Sequence, residues 1–570
     1  MLELKKPKKP AKIAASTGGG MSQSPYRPKY VEKRPPCMDT CPNGTKVRDY
    51  IQLIAQSESY DRPVDDSLKQ AFYMLTESNP LPSTTGRVCP HPCEDACNRK
   101  EKDTPVAINA IEMFVGDYGI KNNLQYKKLT EVKRKEKIAI IGSGPAGLSA
   151  AYHLALRGYG ITIFEKFPET GGYLRYGIPR FRLPLDIIDA EVQRIKNLGV
   201  EIKTGVGIGT DITLDSLKSE YDAVFIAIGT HEPIKMKMKG ADSPNVYTGI
   251  EFLQKAASGE IKDAGKEVVV IGSDSAMDAG MVAKRLGANV TFIYNKGTVN
   301  DASEIEEKGS TEVKEGHAEG IKFEFLFALD EIVTENGKAV AVKLKKMKLS
   351  EKDASGRVHP IIIEGGQELN LKLDTLIYSF GQKPDYKGLE NLTKNPNNEF
   401  LKVDDNYLVA GEDKVFAGGD ILRFGLVTDA IGMGRYAAYA IHKKFSGEQV
   451  INDERRVIKY GDAVNREGKN MYLAYFQPAE RKKRTSRDPK ERVKDFEGIL
   501  NDLNFDELVS EVKRCMSCGL CFDCGSCFEY CSQSAVKKLP KGQHFEFHLE
   551  TCNGCKKCAE SCPCGYIDML

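Results

Sequence analysis

The sequence predicts an α/β multidomain chain: two Rossmann-like parallel-sheet units, with a helical region before them and a small α+β region after them. Three observations predict it. First, 570 residues exceed the length at which a single core stops growing, about 250 to 300 residues. Second, two patterns of strand, glycine turn, helix and strand occupy the middle of the chain. Third, the sixteen cysteines gather at the two ends: five from Cys37 to Cys97, six from Cys515 to Cys531 and five from Cys552 to Cys564.

Composition narrows the class. Lys+Arg 82 against Asp+Glu 80 leaves no bulk charge for holding nucleic acid. The first twenty residues, rich in Lys, Pro, Ala and Gly, lack the apolar core of a secretory signal and read as a disordered basic tail, 1–29. No run of about 18 apolar residues marks a membrane span. Cysteines clumped at two-residue intervals place thiolates around metal centres, whereas disulfides would be distributed to staple loops. A reducing, cytoplasmic compartment is expected.

The C-terminal region, 510–570, carries "CGLCFDCGSCFEYC" (518–531) and "CNGCKKCAESCP" (552–563). Each contains Cys-x2-Cys-x2-Cys-x3-Cys, in which a tight loop wraps three corners of a cluster and the fourth cysteine crosses to the other cluster. The expectation is a bacterial-ferredoxin-like α+β domain with two [4Fe-4S] clusters. One is held by Cys521, Cys524, Cys527 and Cys562, the other by Cys552, Cys555, Cys558 and Cys531. Structural zinc also accepts Cys-x2-Cys pairs, but seldom needs four ligands in so dense a repeated run. Cys515, Cys518 and Cys564 are left over; Cys515-x2-Cys518-x2-Cys521 also opens with the right spacing, which would shift the first cluster's register.

At the other end, "PPCMDTCPNG" (35–44) and "GRVCPHPCEDACNRK" (86–100) bracket a segment of helical periodicity within a predicted helical domain, 30–134. Helices there would bring Cys37, Cys41, Cys89, Cys93 and Cys97 together. Five cysteines suffice for one [4Fe-4S] cluster and not for two.

The central unit, 135–231 with a second part at 379–450, opens on "KIAIIGSGPAGLSAAYHLALRGYGITIFEK". Gly142 makes the turn, Gly144 lets backbone approach a pyrophosphate, and Gly147 packs helix on strand; Pro145 and Ala146 start the helix whose N-terminus faces the anion. Glu165, with Lys166 beside it, ends the second strand where a carboxylate suits a ribose hydroxyl. The second pattern, in 232–378, contains "VIGSDSAMDAG" (270–280). Gly272 keeps the turn, but Ser273, Asp274, Ser275 and Ala276 replace the rest and make the loop one residue shorter. Lys296 stands where it would meet a phosphate, while Asp274 would repel one unless it turns away or caps the helix. The alternative is a Rossmann domain kept as a scaffold without its ligand.

"CPHPCEDAC", "IGSGPAGLSAA", "GGYLRYGIPRFRLP" (171–184), "DAVFIAIGTHEP" (222–233) and "VFAGGD" followed by "VTDAIGMGRYAA" (415–438) together resemble the small, flavin-carrying subunit of glutamate synthase and its relatives. Those include the flavin domains of dihydropyrimidine dehydrogenase and of bifurcating NADH-dependent ferredoxin:NADP oxidoreductase. With a ferredoxin module appended, the architecture resembles the iron-sulfur flavoprotein associated with dissimilatory sulfite reductase. The resemblance implies FAD in the first Rossmann domain, with Gly171, Gly172 and Gly229 around the flavin and Gly419 and Asp420 near its ribityl-phosphate. It implies NAD(P)H in the second domain and, where a nucleotide binds, NADH over NADPH because Asn295-Lys296 replaces a basic pair. It also implies an N-terminal cluster on Cys41, Cys89, Cys93 and Glu112, with Cys37 and Cys97 as remnants and an all-cysteine site as the rival. Relatives with two N-terminal clusters carry a further cysteine pair where this chain has Lys29 and Glu32, so one N-terminal cluster is expected and three in all. A catalytic redox partner protein is implied, ferredoxin and a dissimilatory sulfur-metabolism enzyme being the candidates. The run 451–509 reads as a charged linker, a solvated helix or a docking segment for that partner.

Overall fold

The computed structural model describes residues 24–272, 274–294, 299, 301–351, 359–450 and 471–570, without the side chains of Asp274 and Ser275. Among the described residues no helix is long and apolar enough to cross a membrane.

Two five-stranded parallel sheets form the centre. The first runs in the order Val415–Ala417, Ala223–Ile226, Lys137–Ile141, Gly160–Glu165, Glu201–Thr204. Its central strands are continuous Ile, Ala, Val and Phe because both faces are covered. On one face the helix Pro145–Ala155 packs against the long helix Val427–Ser446. The second sheet runs Lys322–Phe325, Asn289–Tyr294, Glu267–Gly272, Thr375–Ser379, Val246–Thr248. An antiparallel sheet built on Phe327–Glu335 and Lys338–Leu349 covers one side of it through a separate apolar cluster.

The N-terminal domain is helical, and two glycines set its tightest contact. A Cβ on Gly86 would lie 2.5 Å from Met113 Cα, and one on Gly116 would lie 2.5 Å from Ser83 N. The helices Pro82–Val88 and Ile108–Lys121 therefore touch backbone to backbone, which sets Thr85 beside Glu112 at the end of the helix that leads into Cys89.

The C-terminal domain has short helices at Ser526–Glu529 and Lys557–Glu560 and a hairpin of Val536–Lys538 with Phe545–Phe547. Its last strand, Ile567–Met569, pairs antiparallel with Pro28–Tyr30. This corrects the tail boundary at 29. Residues 28–30 belong to the C-terminal domain's sheet, because Tyr30 stacks on Tyr566 (5.2 Å) and Phe547 (4.6 Å) and buries apolar area there.

The charged run also differs from expectation. Its first part lies outside the described residues, but 471–509 is neither a solvated helix nor a free linker. It is a strap with only short helical turns, Leu473–Tyr475 and Pro489–Arg492, before the helix Phe505–Val512 begins. Arg492 is wholly buried, its Nε 2.8 Å from Glu319 Oε1, and Glu319 also takes both ends of the buried Arg285 guanidinium. Ile499 N donates to Phe181 O (2.9 Å), and Arg484 donates to Gly86 O (2.6 Å). Arg481 pairs with Glu94 of the N-terminal domain, Arg492 with Glu315 and Glu319 of the second Rossmann domain and Arg487 with Asp495 of the strap itself, so their charge goes into internal contacts.

Candidate functional site

The glycine turn after Lys137–Ile141 is shaped by three different constraints. Gly142 has φ +102°, and a Cβ there would sit 2.5 Å from Ala227 O. At Gly147 a Cβ would strike Gly142 O, which is what close packing of helix on strand requires. Gly144 is the opposite case: a Cβ would meet nothing within 4 Å, because the residue faces open space. Pro145 then starts the helix, leaving its N-terminus aimed at that space. Gly172, at φ +54°, comes close enough that its Cβ would lie 2.9 Å from Gly144 Cα, and Gly171 N donates to Ser143 O and Oγ. At Gly419, φ +82°, a Cβ would press on the Ala146 methyl at 3.0 Å.

These glycines surround a cavity of about 1010 Å³, at the upper end of the ligand-site range of about 300–1,000 Å³. Of the residues singled out above, Gly142, Gly144, Pro145, Ala146, Glu165, Lys166, Gly172, Gly229, Gly419 and Asp420 line it, while Gly147 and Gly171 stand behind the wall. Glu165 is tied on both oxygens: Oε2 accepts from Ser143 N (2.8 Å) and Oγ (2.6 Å), and Oε1 from Phe167 N (2.9 Å). That holds its carboxylate at the wall with lone pairs to spare. Burial pushes Asp420 up to about 6, against a hydrogen bond from the Gly425 backbone.

Several cavity residues were not foreseen. His231, within a quoted motif, is pushed down to about 4 by burial and by Lys166, so it is neutral at pH 7, and its Nδ1 is buried without a protein partner. An orphaned polar atom on the wall fits a ligand with hydrogen-bonding groups. Arg182 and Asp278 join the two Rossmann domains, Nη1 donating to both carboxylate oxygens at 2.9 and 2.8 Å, while Nη2 reaches Glu312 at 2.6 Å. The periodicity of the second pattern marks Asp278 only as a helix residue; its partner comes from another domain. Cys89 also lines the cavity, which puts a cysteine of the N-terminal group on the wall of the same space.

The second turn is arranged differently. The strand Glu267–Gly272 and the helix Asp274–Arg285 are separated by one residue. A Cβ on Gly272 would lie 2.7 Å from the Ala276 methyl and 3.1 Å from Ser379 O. Neither Gly272 nor Ala276 lines the cavity, although Thr311 of the same domain and Ser379, the last residue of its strand Thr375–Ser379, do. Ser273 and Lys296 lie outside the described residues.

The cysteines fall into four groups. Cys41, Cys89 and Cys93 gather around Glu112: burial pushes Cys93 well up, and Cys41 and Glu112 add to it. Cys89 is pushed up to about 12 by burial and then by Glu112. Asn79 and Thr85 both hydrogen-bond Glu112 Oε1, at 2.8 and 2.6 Å, which leaves Oε2 for a metal. Burial lifts this carboxyl to about 7. In the C-terminal domain Cys521, Cys527 and Cys562 surround Tyr30, with Cys524 beside Cys527 and Cys562, and Cys558 lies with Cys552, Cys555 and Cys531. Cys564 sits 3.7 Å from Cys562, sulfur to sulfur. Cys37 and Cys97 do not join Cys41. They lie with Cys515 and Cys518 on a separate small cavity.

The pattern of the pyridine nucleotide-disulphide oxidoreductase family matches residues 136–434. The chain belongs to that family. Ahead of its oxidoreductase domain, this pyridine nucleotide-disulphide oxidoreductase carries the 4Fe-4S domain known as dihydropyrimidine dehydrogenase domain II, over residues 30–124. It is 33% identical over 537 residues to the NADP(+)-dependent formate dehydrogenase subunit beta of Moorella thermoacetica, covering 89% of this chain and 72% of that one. It is 34% identical to the NADPH-Fe(3+) oxidoreductase subunit beta of Geobacter sulfurreducens, over 71% of this chain and 60% of that one. To the glutamate synthase [NADPH] small chain of Escherichia coli it is 31% identical, over 71% and 88%. The expected resemblance to the glutamate synthase small subunit is thus borne out.

Proposed function

We propose that this chain is an FAD and iron-sulfur oxidoreductase subunit that passes electrons between a nicotinamide nucleotide and a protein partner through [4Fe-4S] clusters. One observation carries the reading: a single cavity is bounded by the glycine turn of the first Rossmann domain, by Thr311 and the strand-end Ser379 of the second, and by Cys89 of the N-terminal group. Flavin bound there would accept a hydride as an electron pair and release single electrons to clusters. Gly144 and the helix N-terminus at Pro145 would hold the pyrophosphate, Glu165 a ribose, and Gly172 and Gly419 would give room to the ring and its chain. His231, neutral at pH 7, offers a hydrogen bond without placing charge in the cavity. Cys89 brings the N-terminal cluster to the flavin's wall, and Glu112 Oε2 completes that cluster's ligand set.

NADH is favoured by Asn295-Lys296 in place of a basic pair, whereas the three relatives described above are named for NADP(H). The partner is a catalytic subunit; ferredoxin and a dissimilatory sulfur-metabolism enzyme rest on the sequence resemblance alone. The tight turn at Gly272 favours a second reading, in which the second domain is a scaffold and the chain only relays electrons between proteins. Anaerobic titration of holoprotein with NADH, and separately with NADPH, decides between them. Bleaching of the flavin on mixing is expected. No bleaching with either nucleotide, while dithionite still reduces the flavin, leaves the relay.

A further inference from the structure

Cys37, Cys97, Cys515 and Cys518 come from opposite ends of the chain and line one cavity. Cys37 is in the short helix Pro36–Thr40, Cys97 precedes the turn Asn98–Glu101, and the other two follow the helix Phe505–Val512. Their thiolates are mutual neighbours: after burial, the largest influences on Cys37 are Cys97, Cys515 and Cys518, and those on Cys518 are Cys515 and Cys97. We propose that these four cysteines ligate a fourth [4Fe-4S] cluster, two ligands from each end of the chain, standing between the N-terminal cluster and the ferredoxin-type domain.

The protein around the four sulfurs is built as a ligand shell. Backbone N–H groups of Val106 and Arg99 point at the Cys97 sulfur, the Gln52 amide and Ser517 N–H at that of Cys515, and Asn98 Nδ2 lies 3.8 Å from Cys518 Sγ. Donors of this kind stabilise cluster thiolates and tune their potential, and inert buried thiols have no need of them. The remaining wall is apolar, including Val47, Ile51 and Met516.

The pair from the C-terminal segment is held in place by contacts that need no metal. The buried Arg48 donates to Lys33 O (2.8 Å) and Cys518 O (3.1 Å), and Gln52 Nε2 donates to Cys515 O (3.1 Å). Arg514 reaches Asp103 Oδ1 (2.9 Å) and Pro105 O (3.1 Å). Ser517 at φ +51° and Gly519 at φ +75° curl the chain so that Cys515 and Cys518 face the same cavity. At Gly519 a Cβ would strike Lys33 O, so the curl is packed against the N-terminal segment.

Spacing separates a cluster from zinc. Four thiolates on zinc at about 2.3 Å stand roughly 3.8 Å apart, yet among the described residues no three cysteine sulfurs lie within 4.8 Å of one another. A cluster core several ångströms across fits the wider arrangement.

The position completes a path. Cys93 feels the charge of Cys37 as well as of Cys41 and Glu112. Tyr50, buried with its hydroxyl unpartnered, stands among Glu112, Cys93, Cys37 and Cys41. On the other side Cys518 packs with Phe522 and Met516, and the chain reaches Cys521 three residues later.

The path rests on the proposed function, but the cluster count does not depend on the nucleotide, so the two fail separately. Full-length protein, reconstituted anaerobically with iron and sulfide, is expected to hold about 16 irons per FAD. C515A/C518A is expected to hold about 12, with FAD unchanged, and to pass electrons from dithionite-reduced flavin to the ferredoxin-type clusters at least about 100-fold more slowly. About 12 irons in the unaltered protein would overturn the proposal, as would full iron in the double variant. Should that variant lose FAD, the unaltered protein's count and its Mössbauer spectrum still decide, because four clusters and three differ by a quarter of the iron.

Discussion

One strand of each parallel sheet, Lys137–Ile141 and Glu267–Gly272, runs into a glycine turn and then a helix, yet the first turn opens on a cavity and the second closes on its own helix. Space decides the difference. Beside Gly144 there is room for a further side chain, whereas beside Gly272 the Ala276 methyl and Ser379 O already occupy it. The same topology therefore carries two kinds of glycine, one kept for a ligand and one kept for packing.

The largest test of that contrast is Gly144→Val. Its φ of −70° and extended ψ suit a β-branched residue, and a Cβ there meets no protein atom within 4 Å. FAD affinity should fall at least about 100-fold, with thermal stability of the FAD-free protein unchanged; retained FAD would mean that the turn does not cradle it. Next is Arg182→Met, which cuts the tie between the two domains and strands the buried Asp278 and the half-buried Glu312. A loss of about 3 kcal/mol is expected in denaturant unfolding, and Asp278→Asn added to it should recover part of that loss. Gly272→Ala, the packing counterpart of the first variant, should cost about 1–3 kcal/mol by overpacking and leave the FAD content intact. Loss of FAD there would erase the distinction between the turns.

The smallest effect concerns pH and belongs to the first domain alone. His231 is held neutral, pushed down to about 4 from an ordinary value near 6.5. Between those values the unfolded chain binds the proton and the folded one does not. The stability is therefore complete above pH 6.5 and lost as pH falls through 4. Allowing for partial exposure, about 1–2 kcal/mol is at stake. Unfolding of FAD-free protein at pH 7.5 and at pH 5 should show a smaller drop in His231→Gln than in the unaltered chain. In the N-terminal domain, Glu112→Ala should change the EPR signal of the cluster nearest the flavin, and an unchanged signal would favour an all-cysteine site.

Much of the first site was legible because its signals are local. The spacing of Gly142, Gly144 and Gly147 between a buried strand and a helix dictates the turn, and Glu165 follows at the next strand end. The ferredoxin-type run was legible for the same reason, since a loop of two-residue steps can only place its sulfurs around one small body. Less was legible wherever a residue's partner lies far along the chain. Asp278 reads as an ordinary helix position until Arg182 arrives from another domain. Arg481 and Arg492 read as solvated charge until Glu94, Glu315 and Glu319 are set beside them.

The sequence by itself determined the two Rossmann patterns, the cysteine spacings and the shortened second turn, since periodicity and steric limits act over a few residues. Only the tertiary structure decided that residues 28–30 pair with 567–569, that the strap 471–509 is pinned across three domains, and that Cys37 and Cys97 meet Cys515 and Cys518. Those contacts depend on where chain ends come to rest. That is settled by burial of Tyr30, Arg48 and Arg492 at joints between domains, and no short-range pattern records it.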